Sequence, residues 1–83
     1  MWQVYIIECK DSKLYTGVTT DIDRRLSEHN LRKGAKFTRV RAPVKLVYKQ
    51  KVATRSAALK REAAIKKLPR AEKLSLILSA NRI

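Results

Sequence analysis

Eighty-three residues bury one hydrophobic core and leave no room for a second, so the chain reads as one domain spanning residues 1–83. A hydrophobic content of 45% makes that core a real one and excludes global disorder. A net charge of +13 points to a polyanionic partner, nucleic acid in preference to an anionic membrane or a merely solvated basic face.

Gln3 to Cys9 is a nearly unbroken run of Val, Tyr and Ile, the pattern of a central strand. Nothing at the N-terminus reads as the cationic start and apolar run of a signal peptide, and no apolar stretch in the chain approaches the ~20 residues of a membrane span. Cys9 is the one cysteine, so an internal disulfide is excluded and a reducing compartment fits. One Cys and one His cannot assemble a structural zinc site. The expectation is a soluble cytoplasmic protein.

A polar turn at Lys10 to Lys13 leads into a returning strand, Leu14 to Val18. Gly17 within that strand predicts a bulge or a close approach of ligand to backbone. Thr19, Thr20 and Asp21 are N-cap candidates for a helix to about Asn30, whose apolar stripe is thin: Ile22 and Leu26. Arg32 to Pro43 reads as a loop punctuated by Gly34 and Pro43. From Arg32 to Lys51 there are eight basic residues and no acid. The basic excess lies wholly in the later part of the chain: residues 1–31 hold four basic and five acidic residues, residues 32–83 sixteen and two. Val44 to Val52 forms a third strand. Thr54 or Ser56 caps a second helix through Leu68, and Pro69 at a first helical position starts a third, to about Ser79. The order β-β-α-β-α-α gives an α+β fold, a small three-stranded antiparallel sheet flanked by helices.

Several residues in this frame carry candidate chemistry. At about 100° per residue Glu62 has Ala58, Leu59 and Ile65 as neighbours on its helix, which places a carboxylate inside the apolar arc. A divalent metal would satisfy it and polarise a phosphoryl oxygen; an i,i+4 pair with Lys66 is the bland reading. Tyr5 and Tyr15, on the two hairpin strands, either pack across the sheet or supply phenols for proton transfer. Arg25 and His29 share one helix face. Arg25 suits the gripping of a scissile phosphate, while His29 either contacts phosphate, shuttles a proton or acts as a cation near the helix C-terminus. In the loop, Arg32, Lys33, Lys36, Thr38, Arg39 and Arg41 are candidate contacts to a nucleic-acid backbone, with Phe37 interleaved.

Taken together, Gln3-Val4-Tyr5, Tyr15-Thr16-Gly17, Arg25 within Asp21-Ile22-Asp23-Arg24-Arg25-Leu26, and Glu62 within Ala58-Leu59-Lys60-Arg61-Glu62 resemble the GIY-YIG nuclease family. The likeness covers essentially the whole chain and is greatest to small stand-alone bacterial (YhbQ-like) members. Gln3 and Val4 stand where the first triplet of the motif has Gly and Ile, and Thr16 replaces the Ile of the second; none of the three is a reacting position. The resemblance implies a metal-dependent endonuclease that hydrolyses DNA phosphodiesters with one Mg²⁺ or Mn²⁺, in DNA repair or recombination. It implies roles for Tyr5 (orienting or deprotonating water), Tyr15 (supporting it or exchanging roles with it), Arg25 (holding the phosphate), His29 (a secondary polar contact) and Glu62 (holding the metal). Gly17 would let the phosphate approach the strand. Two other classes stay open: a non-catalytic DNA- or RNA-binding module on the same fold, and an accessory protein that binds a nuclease or repair partner.

Overall fold

The computed structural model describes residues 1–80. Its elements are β1 (Trp2–Cys9), β2 (Leu14–Thr19), α1 (Ile22–Asn30), α2 (Lys36–Arg39), β3 (Val44–Val52), α3 (Arg55–Lys66) and α4 (Arg70–Ala80). The sheet is antiparallel throughout, in the order β2-β1-β3. β1 is therefore central, and both of its faces are covered, which is why its sequence is apolar at successive positions. Val4 and Ile6 face α3 through Ala58 and Ile65, with Leu76 and Ile77 of α4 packed beside them. Tyr5, Ile7 and Cys9 face the other way, onto Ile22 and Leu26 of α1 and Val44 of β3. Each such apolar side chain contributes about 1.5–3 kcal/mol on full burial, and the two-sided packing fixes β1 against any slip of register. No helix among the described residues is long and apolar enough to cross a membrane.

The irregularity expected at Gly17 lies elsewhere. The β1/β2 ladder runs without a break through Tyr5 opposite Gly17. The register shifts instead between β1 and β3, where Ile6 faces Tyr48 and Ile7 faces Leu46.

Caps set the helix ends. The Asp21 carboxylate accepts from the Arg24 amide at 3.1 Å and starts α1. Thr54 does the same for α3, accepting from the Ala57 amide at 3.1 Å. Pro69 precedes α4 rather than opening it: its carbonyl accepts from the Glu72 and Lys73 amides. The region read as loop contains one helical turn, α2. Its position is set by tertiary bonds rather than by local periodicity. Asn30, at the end of α1, holds the start of β3 with both ends of its amide: Oδ1 accepts from the Val44 amide at 2.7 Å and Nδ2 donates to the Val44 carbonyl at 3.2 Å.

Candidate active site

Tyr5 and Gly17 are direct cross-strand partners. A Cβ built on Gly17 would lie 2.5 Å from the Tyr5 hydroxyl oxygen and 2.7 Å from Cζ. The glycine is thus the condition for the phenol to lie across the backbone of β2. The ring is 1% exposed, and its hydroxyl is 2.9 Å from Nε2 of His29, which α1 delivers from its last turn. His29 is fully buried, and its Nδ1 lies 2.7 Å from the Thr38 hydroxyl of α2. Thr38 donates its own proton to the Ala35 carbonyl at 2.9 Å. Its oxygen therefore accepts from His29, which places the imidazole proton on Nδ1 and leaves Nε2 as the acceptor for the Tyr5 O–H. Gly34 lies against the other ring: a Cβ there would collide with Nδ1 of His29 and sit 2.9 Å from Cε1. Both glycines of the chain thus make room for the same tyrosine–histidine pair.

Burial dominates the electrostatics of the pair. It pushes the Tyr5 phenol above its ordinary pKa; Arg25 pulls downward, and the charges of Tyr15 and Glu62 add to the rise. Burial and then the Arg25 charge push His29 below its ordinary value, opposed by Glu28. The resting state at neutral pH is a neutral phenol donating to a neutral imidazole. A histidine depressed on folding binds protons more readily in the unfolded chain, so its stabilising effect is complete above about pH 6.5 and is lost as pH falls toward the depressed native value. The Tyr5 shift gives the mirror image, a loss above about pH 10. Melting temperatures of the wild type should therefore decline between about pH 7 and 5, and His29→Gln, though less stable, should give a flatter profile there. Equal slopes for the two proteins would show that His29 is not held neutral.

Three further residues border the pair. Tyr15 meets His29 edge-on, with centroids 5.5 Å apart, and stacks on Phe37 at 5.8 Å and 26°. Arg25 is half-buried one turn before His29 and pairs with Glu28 at 3.1 Å. Glu62 arrives from α3; its side chain is 19% exposed, and its Oε2 is 3.3 Å from Nζ of Lys66. The ion pair of the bland reading is thus present, while the Glu62 charge also acts on the Tyr5 phenol. The described residues include no group of three side chains suited to hold a metal. A hard divalent ion at one carboxylate fits where water and substrate phosphate complete its shell, the habit of Mg²⁺.

The basic segment divides into two. Arg32, Lys33, Lys36 and Arg39 are exposed and have no ion pair among the described residues. Arg41 is committed to the fold: it pairs with Asp11 at 3.0 Å, donates to the Phe37 carbonyl and covers the Phe37 ring at 4.1 Å. Thr38 is fully buried as the partner of His29, so it offers no phosphate contact. His29, equally buried, is neither a surface contact nor a cation near the helix end. The space that a Gly17 side chain would fill is taken by the Tyr5 phenol. Asn30 and Gly34, unassigned from sequence, position this site; a second glycine in a chain that has two was the available signal for Gly34.

A sheet of order β2-β1-β3 with helices on both faces, and two tyrosines, an arginine, a histidine and a glutamate gathered from β1, β2, α1 and α3, define a class. The model of the GIY-YIG catalytic domain matches residues 1–75, and the chain belongs to that family. Among its relatives are proteins called UPF0213: one from Syntrophus aciditrophicus is 60% identical over 75 residues, covering 89% of this chain and 86% of its own length. Another, from Haloquadratum walsbyi, is 56% identical over 73 residues, covering 88% and 82%. The solution structure of a UPF0213 protein from Bacillus halodurans superimposes with a TM-score of 0.62 at 43% identity, covering 98% of this chain and 88% of that one.

Proposed function

We propose that this protein is a divalent-metal-dependent endonuclease that hydrolyses DNA phosphodiesters with little base specificity, acting in the cytoplasm in DNA repair or recombination. The observation that carries the reading is the buried Tyr5–His29–Thr38 chain, a proton path with a set direction. A phenol alone is a poor base at neutral pH because its ordinary pKa is about 10. Tyr5 avoids that problem by passing its own proton to Nε2 of His29 as it takes one from the attacking water. The positive charge then rests on an imidazolium whose Nδ1–H is already held by Thr38. Arg25 grips the scissile phosphate and stabilises the charge that develops as the P–O bond to the leaving oxygen breaks. Tyr15 packs on the imidazole edge and holds it in line with the phenol. Glu62 would hold Mg²⁺ or Mn²⁺, which supplies Lewis acidity at the phosphoryl oxygen. Arg32, Lys33, Lys36 and Arg39 add salt-sensitive affinity for the backbone.

A second reading, a nucleic-acid-binding module without turnover, is favoured by the Glu62–Lys66 ion pair and by the burial of Tyr5. Metal-dependent cleavage of labelled linear and branched DNA separates the two readings: the nuclease cuts, while the module binds and leaves every substrate intact.

A further inference from the structure

β2 is an outer strand of the sheet, and the candidate site lies across it at Tyr15 and Gly17. From there toward the hairpin turn the strand leads to a cleft of about 210 Å³ lined by Lys13, Leu14, Phe37, Arg70 and Lys73. Three cations from two distant parts of the chain line it, and among the described residues no acid does. Arg70 is held in place by a 2.9 Å bond from Nη2 to the Ser12 carbonyl. Asp11, the acid of the same turn, is already occupied by Arg41 at 3.0 Å. Phe37 joins the cleft to the candidate site, because its ring stacks on Tyr15.

We propose that this cleft is a second phosphate site. It would hold a backbone phosphate of the same DNA strand whose scissile phosphate is gripped by Arg25, so that the strand runs along the outer edge of β2. The proposal rests on the nuclease reading for the position of the scissile phosphate, but not for the cleft's affinity. Lys13 and Gly17 are four residues apart on an extended chain, about 13 Å. That is roughly four phosphates along one strand of a duplex at 3.4 Å of axial rise each. Counting charge along the sequence does not point here. Lys13 lies in a segment with four basic and five acidic residues, and Arg70 and Lys73 lie far from the basic loop.

The test is DNA binding without divalent metal, so that its outcome does not depend on cleavage. A labelled duplex is titrated at several salt concentrations with wild type, Lys13→Ala/Lys73→Ala and a charge-matched control, Lys60→Ala/Lys67→Ala. The control lysines are both exposed: Lys60 lies on α3, about 200° around the helix from the buried Ala58, and Lys67 is the C-cap of that helix, seven residues on. Removing two phosphate contacts should lower the slope of log K against log salt by about 1.8 and weaken binding at least tenfold, with the control near wild type. Lys73 is half-buried, so Lys13→Glu at an exposed position provides a second probe and should weaken binding in the same direction. Unchanged binding by Lys13→Glu, or equal losses in the cleft and control pairs, would overturn the proposal.

Discussion

One methyl group added at position 17 should remove most of the DNA cleavage without altering any group that takes part in the chemistry. Gly17→Ala meets no backbone obstacle, since no glycine in the described chain has a positive φ. What it meets is the Tyr5 phenol, whose oxygen lies 2.5 Å from the new carbon. The ring is 1% exposed and its hydroxyl is tied to His29, so it must leave its place, and the Tyr5–His29 hydrogen bond breaks. A positioned general base contributes about 10²–10⁴-fold, and cleavage should fall by an amount in that range. The overpacking itself should cost about 1–3 kcal/mol, visible as a lower melting temperature. A double-mutant cycle with Tyr5→Phe identifies the route: if Gly17→Ala acts through the phenol, the two losses do not add. Full additivity would mean that Gly17 matters for another reason.

The second large effect is expected at Glu62. Glu62→Gln keeps the shape of the side chain and removes its charge. If the carboxylate holds the ion, the variant loses a contribution of several kcal/mol to the transition state, or about 10²–10³-fold in rate at 1.36 kcal/mol per tenfold. Stability should barely change, because the pair with Lys66 has a half-exposed partner and is worth about 0.3–0.5 kcal/mol. DNA binding should persist or tighten slightly, since a negative charge is removed. With one carboxylate on offer, Mg²⁺ should not raise the melting temperature of the free wild type; the ion is expected to bind with the substrate. Cleavage by Glu62→Gln at the wild-type rate would remove the metal from this position.

What could be read from the sequence followed the range of the interactions. The central place of β1, the hairpin, the Asp21 and Thr54 caps and the third strand all rest on local pattern, and the structure has them. The turn α2 and the grip of Asn30 on Val44 were not legible, because each depends on partners brought near by folding. The same holds for Arg41, whose carboxylate partner is thirty residues away in sequence. As part of a basic run it read as a phosphate contact, yet it fastens α2 to the hairpin. Thr38 misled in a similar way: a hydroxyl among cations suggests a backbone contact, and its burial under His29 appears only in three dimensions. For the site, the motif singled out tyrosines and a histidine that the structure places side by side. The direction of the Tyr5–His29 hydrogen bond came from one hydroxyl, that of Thr38, and the carbonyl it is obliged to satisfy.

Whether Tyr5 does chemistry on a phosphodiester is decided by single-turnover cleavage of labelled linear and branched DNA by wild type and Tyr5→Phe, with Mg²⁺ and with Mn²⁺. Binding of the same DNAs is measured alongside. Wild type should cut in a metal-dependent way, and the variant should bind equally well and cut at least a hundredfold more slowly. Equal cutting by both proteins would contradict the role of Tyr5. No cutting by wild type, with DNA bound by both, would contradict the nuclease itself and leave a binding module built on this fold.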